Sequence, residues 1–164
     1  MSRISLQVLA TAIRKVRAMS QNQKLVLVEI MVKEQPNMFG SFLVQKQMGV
    51  SLEKIEFLLE LLLICFQAMK DSGIRWPLIT EDEQDKQLGR YVATVRFGED
   101  LSSSLQAQIM KQYIDNHPEQ PLLAFITAET TAWLNRIQPE NADIYVILAA
   151  ANFVNCIAFA AVPV

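Results

Sequence analysis

The segment FLLELLLICFQAM, residues 57–69, leaves a helix almost no polar face. A helix at a protein surface needs one apolar stripe, so one that is apolar nearly all round has to be enclosed. Ser51 stands where a cap belongs and Gly73 lies just past the end, which predicts a core helix over about 52–70. A second such segment, IYVILAAANFVNCIAFAAVPV (144–164), carries no charged side chain over 21 positions and predicts a last helix over about 142–162. That length also meets the rule for a membrane span, and a tail anchor is the alternative reading. Asn152 and Asn155 near the middle, six alanines and the lack of a Lys/Arg cluster at either flank favour a helix packed in a core or an interface.

The rest of the chain supplies covering helices. Ile4, Val8, Leu9, Ala12, Ile13, Val16 and Met19 form a helical stripe over 3–19. In 24–34, Val26, Val28, Ile30 and Val32 alternate as in a strand, yet they also fill the sides of a buried helix; the helical neighbours decide for helix, ended by Pro36. A short helix is expected over 42–47, stopped by Gly49. Thr80 and Glu83 have capping-box spacing and open a helix reaching Gly98, with Leu88, Val92 and Val95 facing the core. Asp100 or one of Ser102 to Ser104 begins the next, to about Asn116, and Pro121 the one after, to about Ile137. With only 5 Gly and 6 Pro, tight turns are too few for an all-β fold. The chain, 51% apolar and 20% charged, is no disordered tail. The reading is one all-α domain over 1–164, a bundle of seven or eight helices with Leu58, Leu62, Phe66, Val146, Phe153 and Ile157 in its core. A weak echo between the halves has unequal spacings and is not a repeat.

Charge is uneven. Residues 1–50 hold seven Lys or Arg against Glu29 and Glu34, a net of +5, so the other 114 residues carry −7 of the chain's −2. Such a basic end can pair with the acidic body inside one molecule or between two.

Chemistry-bearing motifs are scarce. The chain has one histidine, His117, with Ile114 rather than Glu three residues before it, so the Glu-x-x-His pairs of a two-metal bundle are missing. Cys65 and Cys156 sit in apolar segments with no basic neighbour to stabilise a thiolate. There is no Gly-rich phosphate loop and no Gly-x-Ser-x-Gly. Glu81, Asp82, Glu83 and Asp85 are accounted for by the start of a helix. No catalytic residue, metal or cofactor is assigned on these grounds.

Two functions are expected from what remains. The first is a non-catalytic helical interaction or scaffold module, self-associating as a homodimer, with Arg75, Trp76 and Glu60 as binding residues. The dimer follows from the two helices that are apolar around most of their circumference, with Asn152 and Asn155 pairing near the contact. The alternative is a DNA-associated regulator. FLVQKQMGVSLEKIEFLL (42–59) has the Gly turn, polar cap and apolar spacing of a helix-turn-helix, and Arg14, Arg17, Lys46 and Lys54 would meet phosphates. Glu53, Glu56 and Glu60 on the would-be recognition helix oppose that reading, because phosphate contacts need positive charge. The expected setting is cytoplasmic, since Arg3, Arg14, Lys15 and Arg17 interrupt the first segment and no secretory apolar run is present.

Overall fold

Ser5 accepts a hydrogen bond from the Val8 N–H and opens α1, Leu6–Ala18, whose buried stripe is Leu9, Ala12 and Val16. In the computed structural model, which describes residues 1–163, seven more helices follow. They are α2 (Gln21–Glu34), α3 (Pro36–Leu43), α4 (Leu52–Asp71), α5 (Glu81–Gly98), α6 (Ser103–Asp115), α7 (Gln120–Leu134) and α8 (Asp143–Ala158). Among the described residues there is no strand, and the chain is all-α.

The ambiguity over 24–34 resolves through its cap. Ser20 and Gln23 form a reciprocal capping box, each side chain satisfying the other's backbone N–H, and this commits the segment to helix. The helix is not buried all round. It turns Leu27 and Met31 inward and leaves Leu25, Val26 and Val32 exposed. Pro36 then serves at the first turn of α3, where its missing N–H costs nothing, so the short helix lies earlier than the expected 42–47. A 3₁₀ turn, Val44–Lys46, and Gly49 at φ +90° lead to α4.

The centre is α4. Every residue from Leu61 to Met69 is buried, with α1, α2, α3 and α8 packed around them. Phe57, nearer the start, stacks on Trp133 of α7 at 4.8 Å between ring centres and 5° between planes. The second pillar is α8, where Ala150 to Ala158 are all buried and α4, α5 and α7 pack against it. The six expected core residues are all buried. No helix among the described residues is long and apolar enough to cross a membrane. The chain's own helices thus enclose 61–69 of α4 and 150–158 of α8, while Leu52 of α4 and Ile144 and Tyr145 of α8 stay exposed.

Local departures have local causes. The last helix stops at Ala158 rather than 162, because the Arg3 guanidinium donates to the carbonyls of Ile157, Ala158 and Ala160 and ends it like a C-cap. Val164, the end of the charge-free segment, lies outside the described residues. Ser51 occupies the cap position of α4 without a side-chain cap bond. Thr80 accepts from the Glu83 N–H, but the Glu83 carboxylate accepts from Gln87 instead of closing the box. On α5 the buried positions are Gln84 and Gln87; Leu88 and Val92 are half-buried and Val95 is exposed.

Leu62→Ala and Phe153→Ala each remove a buried side chain from the α4–α8 core and should lower unfolding free energy by about 2–5 kcal/mol. Chemical denaturation measures this, and near-zero changes in both would place the core elsewhere.

Candidate functional site

The connector between α4 and α5 is tied to the start of α3 by two amides. Gln35 donates to Pro77 O (2.8 Å) and accepts from Ile79 N (3.0 Å), and Asn37 donates to Ile79 O (2.9 Å). These bonds set the N-terminal half of α5 beside α3. On the other side, Asn152 of α8 donates to the Gln84 carbonyl at 3.1 Å. Between α3 with its 3₁₀ turn, α5 and α8 lies a cavity of about 460 Å³.

Its walls are apolar in part, through Val44, Met48, Leu88, Leu148 and Ala149, with Glu81 and Asp85 at the α5 side and Tyr145 on α8. Three of the lining residues each carry one fully buried side-chain atom with no hydrogen-bond partner: Gln45 Oε1, Gln84 Nε2 and Asn152 Oδ1. These are the only such atoms among the described residues. Buried polar groups are nearly always paired, and each one left unpaired costs about 1–3 kcal/mol. Of the three residues, sequence reasoning singled out Asn152 alone, and for a different role. The available signal for Gln84 is its place one turn before Leu88, on the side of α5 expected to face the core.

A second polar cluster is fully engaged. Glu119 N–H donates to His117 Nδ1 (3.1 Å), so the ring proton sits on Nε2 and is given to Asn155 Oδ1 (2.8 Å), which also accepts from the Tyr113 hydroxyl (3.2 Å). The Glu119 carboxylate accepts from the Arg3 and Ile4 backbone N–H groups and from Arg3 Nε. Asn155 is thus paired within its own chain. Burial pushes the His117 pKa down, outweighing Asn155 and Glu119, which favour the charged ring.

The residues expected to bind from sequence are scattered. Trp76 folds back, donating its indole N–H to Met69 O (2.9 Å) and Ser72 Oγ (3.1 Å), with the Arg3 guanidinium 4.8 Å from its ring centre. Arg75 beside it is exposed, and both border a recess with Glu34, Met69 and Lys70. Glu60 is half-buried at a small recess with Lys24, Leu25 and Leu59 rather than locked in the core.

In the helix-turn-helix segment, the first turns of α4 expose Leu52, Glu53 and Glu56 and bury Lys54, Ile55 and Leu58. Lys54 is buried and bonded to Asp143 (2.6 Å), Glu140 (2.9 Å) and Gln138 O (2.9 Å), out of reach of any phosphate. Burial alone would lower its pKa, but the two carboxylates raise it. Arg17 is paired with Glu129 at 3.0 Å; Arg14 and Lys46 are exposed, on α1 and on the 3₁₀ turn.

Burial raises both thiols, Cys65 and Cys156, to about 12. Among the described residues no three His, Cys, Asp or Glu side chains converge as a metal site requires. No family model, curated protein or solved structure matches this chain.

His117 gives a pH dependence of defined sign. Its folded pKa lies below the usual 6.5, so the unfolded chain takes up the proton first as pH falls. Stability should therefore drop as pH goes below about 6.5 and level off beneath the folded value. Urea midpoints between about pH 7 and 5 should fall more for the wild type than for His117→Gln. Equal slopes would show that the ring titrates freely.

Proposed function

We propose that this chain is a non-catalytic helical interaction module that self-associates through the outer face of α5. The observation that carries the reading is the order of side chains on that face. Asp85, Leu88, Gly89, Val92, Ala93 and Arg96 lie at helical spacing and line one open surface. An antiparallel pair of α5 helices, centred between Arg90 and Tyr91, sets Asp85 of one copy opposite Arg96 of the other. The same register sets Leu88 opposite Ala93 and Gly89 opposite Val92. A two-fold interface needs this reciprocity, in which residue i meets j and j meets i.

Two further features support it. Neither Asp85 nor Arg96 has an ion-pair partner among the described residues. Gly89 sits inside a helix, where glycine costs about 0.5–1 kcal/mol relative to alanine, yet a Cβ there would meet nothing within 4 Å. Its own protomer gives no reason for a glycine, whereas a second helix approaching closely does. Buried, high-pKa thiols and a fully bonded His117 are in keeping with a non-catalytic role, and free buried cysteines suit the cytoplasm.

Light scattering at high micromolar concentration should give a dimer. Arg96→Glu, which sets two acids against each other, should give a monomer with unchanged helical circular dichroism. The exchange Asp85→Arg with Arg96→Glu should restore the dimer. A monomeric wild type contradicts the reading, as does a dimer indifferent to Arg96→Glu.

A further inference from the structure

The recess beside Trp76 is held in shape and carries charge of both signs. Trp76 is fixed by its two indole bonds, to Met69 O and Ser72 Oγ, and by the Arg3 guanidinium, which is not among the residues lining the recess. The Ile74 N–H donates to Ser72 Oγ (3.2 Å), and the buried Gln35 holds Pro77 and Ile79, so the connector is tied at both ends. The half-buried Ile74 and Trp76 form an accessible apolar wall, and the buried Phe66 and Met69 complete it. At the rim stand three exposed charged side chains, Lys70, Arg75 and Glu34. The Lys70 ammonium lies 5.9 Å from the centre of the Phe66 ring, over a residue of the lining. None of the three has an ion-pair partner among the described residues, and they do not pair with one another.

We propose that this recess binds a small zwitterion with an apolar side chain, the chemistry of a free aromatic or aliphatic amino acid. The ligand carboxylate engages Lys70 and Arg75, its ammonium engages Glu34, and its side chain lies on Ile74 and Trp76. A plain anion would meet Glu34 as a like charge, and a plain cation would meet Lys70 and Arg75. A zwitterion without an apolar side chain would leave the Ile74–Trp76 wall to water. The volume of about 300 Å³ lies at the small end of ligand pockets, which suits a molecule of this size. Because the wall is held before the ligand arrives, the ordering that opposes binding is confined to the three charged side chains and the ligand. None of these residues belongs to the proposed α5 contact, so binding and self-association are independent.

L-Phenylalanine is the probe. In a ¹H–¹⁵N spectrum of the full chain it should shift the indole signal of Trp76 in a saturable way. The indole signal of Trp133, which stacks on Phe57 elsewhere in the fold, should stay in place. Phenylalaninamide lacks the carboxylate and N-acetylphenylalanine lacks the ammonium. Each should bind about fivefold more weakly than phenylalanine, the upper range for one exposed ion pair. Serine, without an apolar side chain, should bind more weakly still. Glu34→Gln should weaken phenylalanine yet strengthen N-acetylphenylalanine, an opposed response that a merely structural change would not give. Arg96→Glu should bind phenylalanine as the wild type does. The proposal is overturned if phenylalanine leaves the Trp76 signal unmoved, or if either derivative binds as tightly as phenylalanine. Unchanged binding by the variant combining Lys70→Gln and Arg75→Gln would overturn it equally.

Discussion

Nine consecutive buried residues, Leu61 to Met69, set the terms for the rest of this fold. A helix with no solvent face needs neighbours on every side, and the chain provides them from both directions of sequence. Before α4, the stripes of α1 and α2 contribute Leu9, Ala12, Val16, Leu27 and Met31. After it, α8 returns through the middle with Ala150, Ala151 and Ala158, small residues that suit close approach. With these two pillars satisfied inside one chain, large apolar side chains remain exposed on several helices: Leu25 and Val26 on α2, Leu52 on α4, Phe97 on α5 and Ile144 on α8. The α6 helix buries none of its residues.

Polar contacts then fix how the pillars are held. Three of the seven basic residues in the first fifty pair with acids later in the chain, Arg3 with Glu119, Lys15 with Asp71 and Arg17 with Glu129, drawing α1 onto acids of α4 and α7 and beside the α7 cap. The exposed pairs add little stability, but the buried groups give register. Lys54 at the base of α4 meets Asp143 at the start of α8. There the lysine and the Glu140 N–H hold the Asp143 carboxyl below its ordinary range against the opposing effect of burial. Removing one member would leave its partner charged and buried, which is far costlier than losing an exposed pair.

The central helix, the all-α class and the six core positions were legible because apolar periodicity over long segments reports burial directly. The turn chemistry at Gly49 and Gly73 was legible too, both having positive φ. The failures share a cause, that a neighbour distant in sequence overrode a local pattern. Lys54 reads as a surface cation until Asp143, 89 residues on, is placed beside it. The helical pattern past Ala158 continues in sequence, but Arg3 intercepts the carbonyls. On α5, Gln84 lies inward where the helix borders a cavity shared with α3 and α8, and the buried Gln87 donates to Glu83, which periodicity within α5 cannot reveal. For the same reason the cavity was not foreseen as a site.

One chain encloses 61–69 and 150–158 by itself, and we propose that α5 meets a second copy. Amide hydrogen exchange at several protein concentrations tests it directly. Protection over 61–69 and 150–158 should be high and independent of concentration, while protection over 85–96 should rise as concentration increases. Concentration-dependent protection of α4 and α8, with α5 unchanged, would contradict the account.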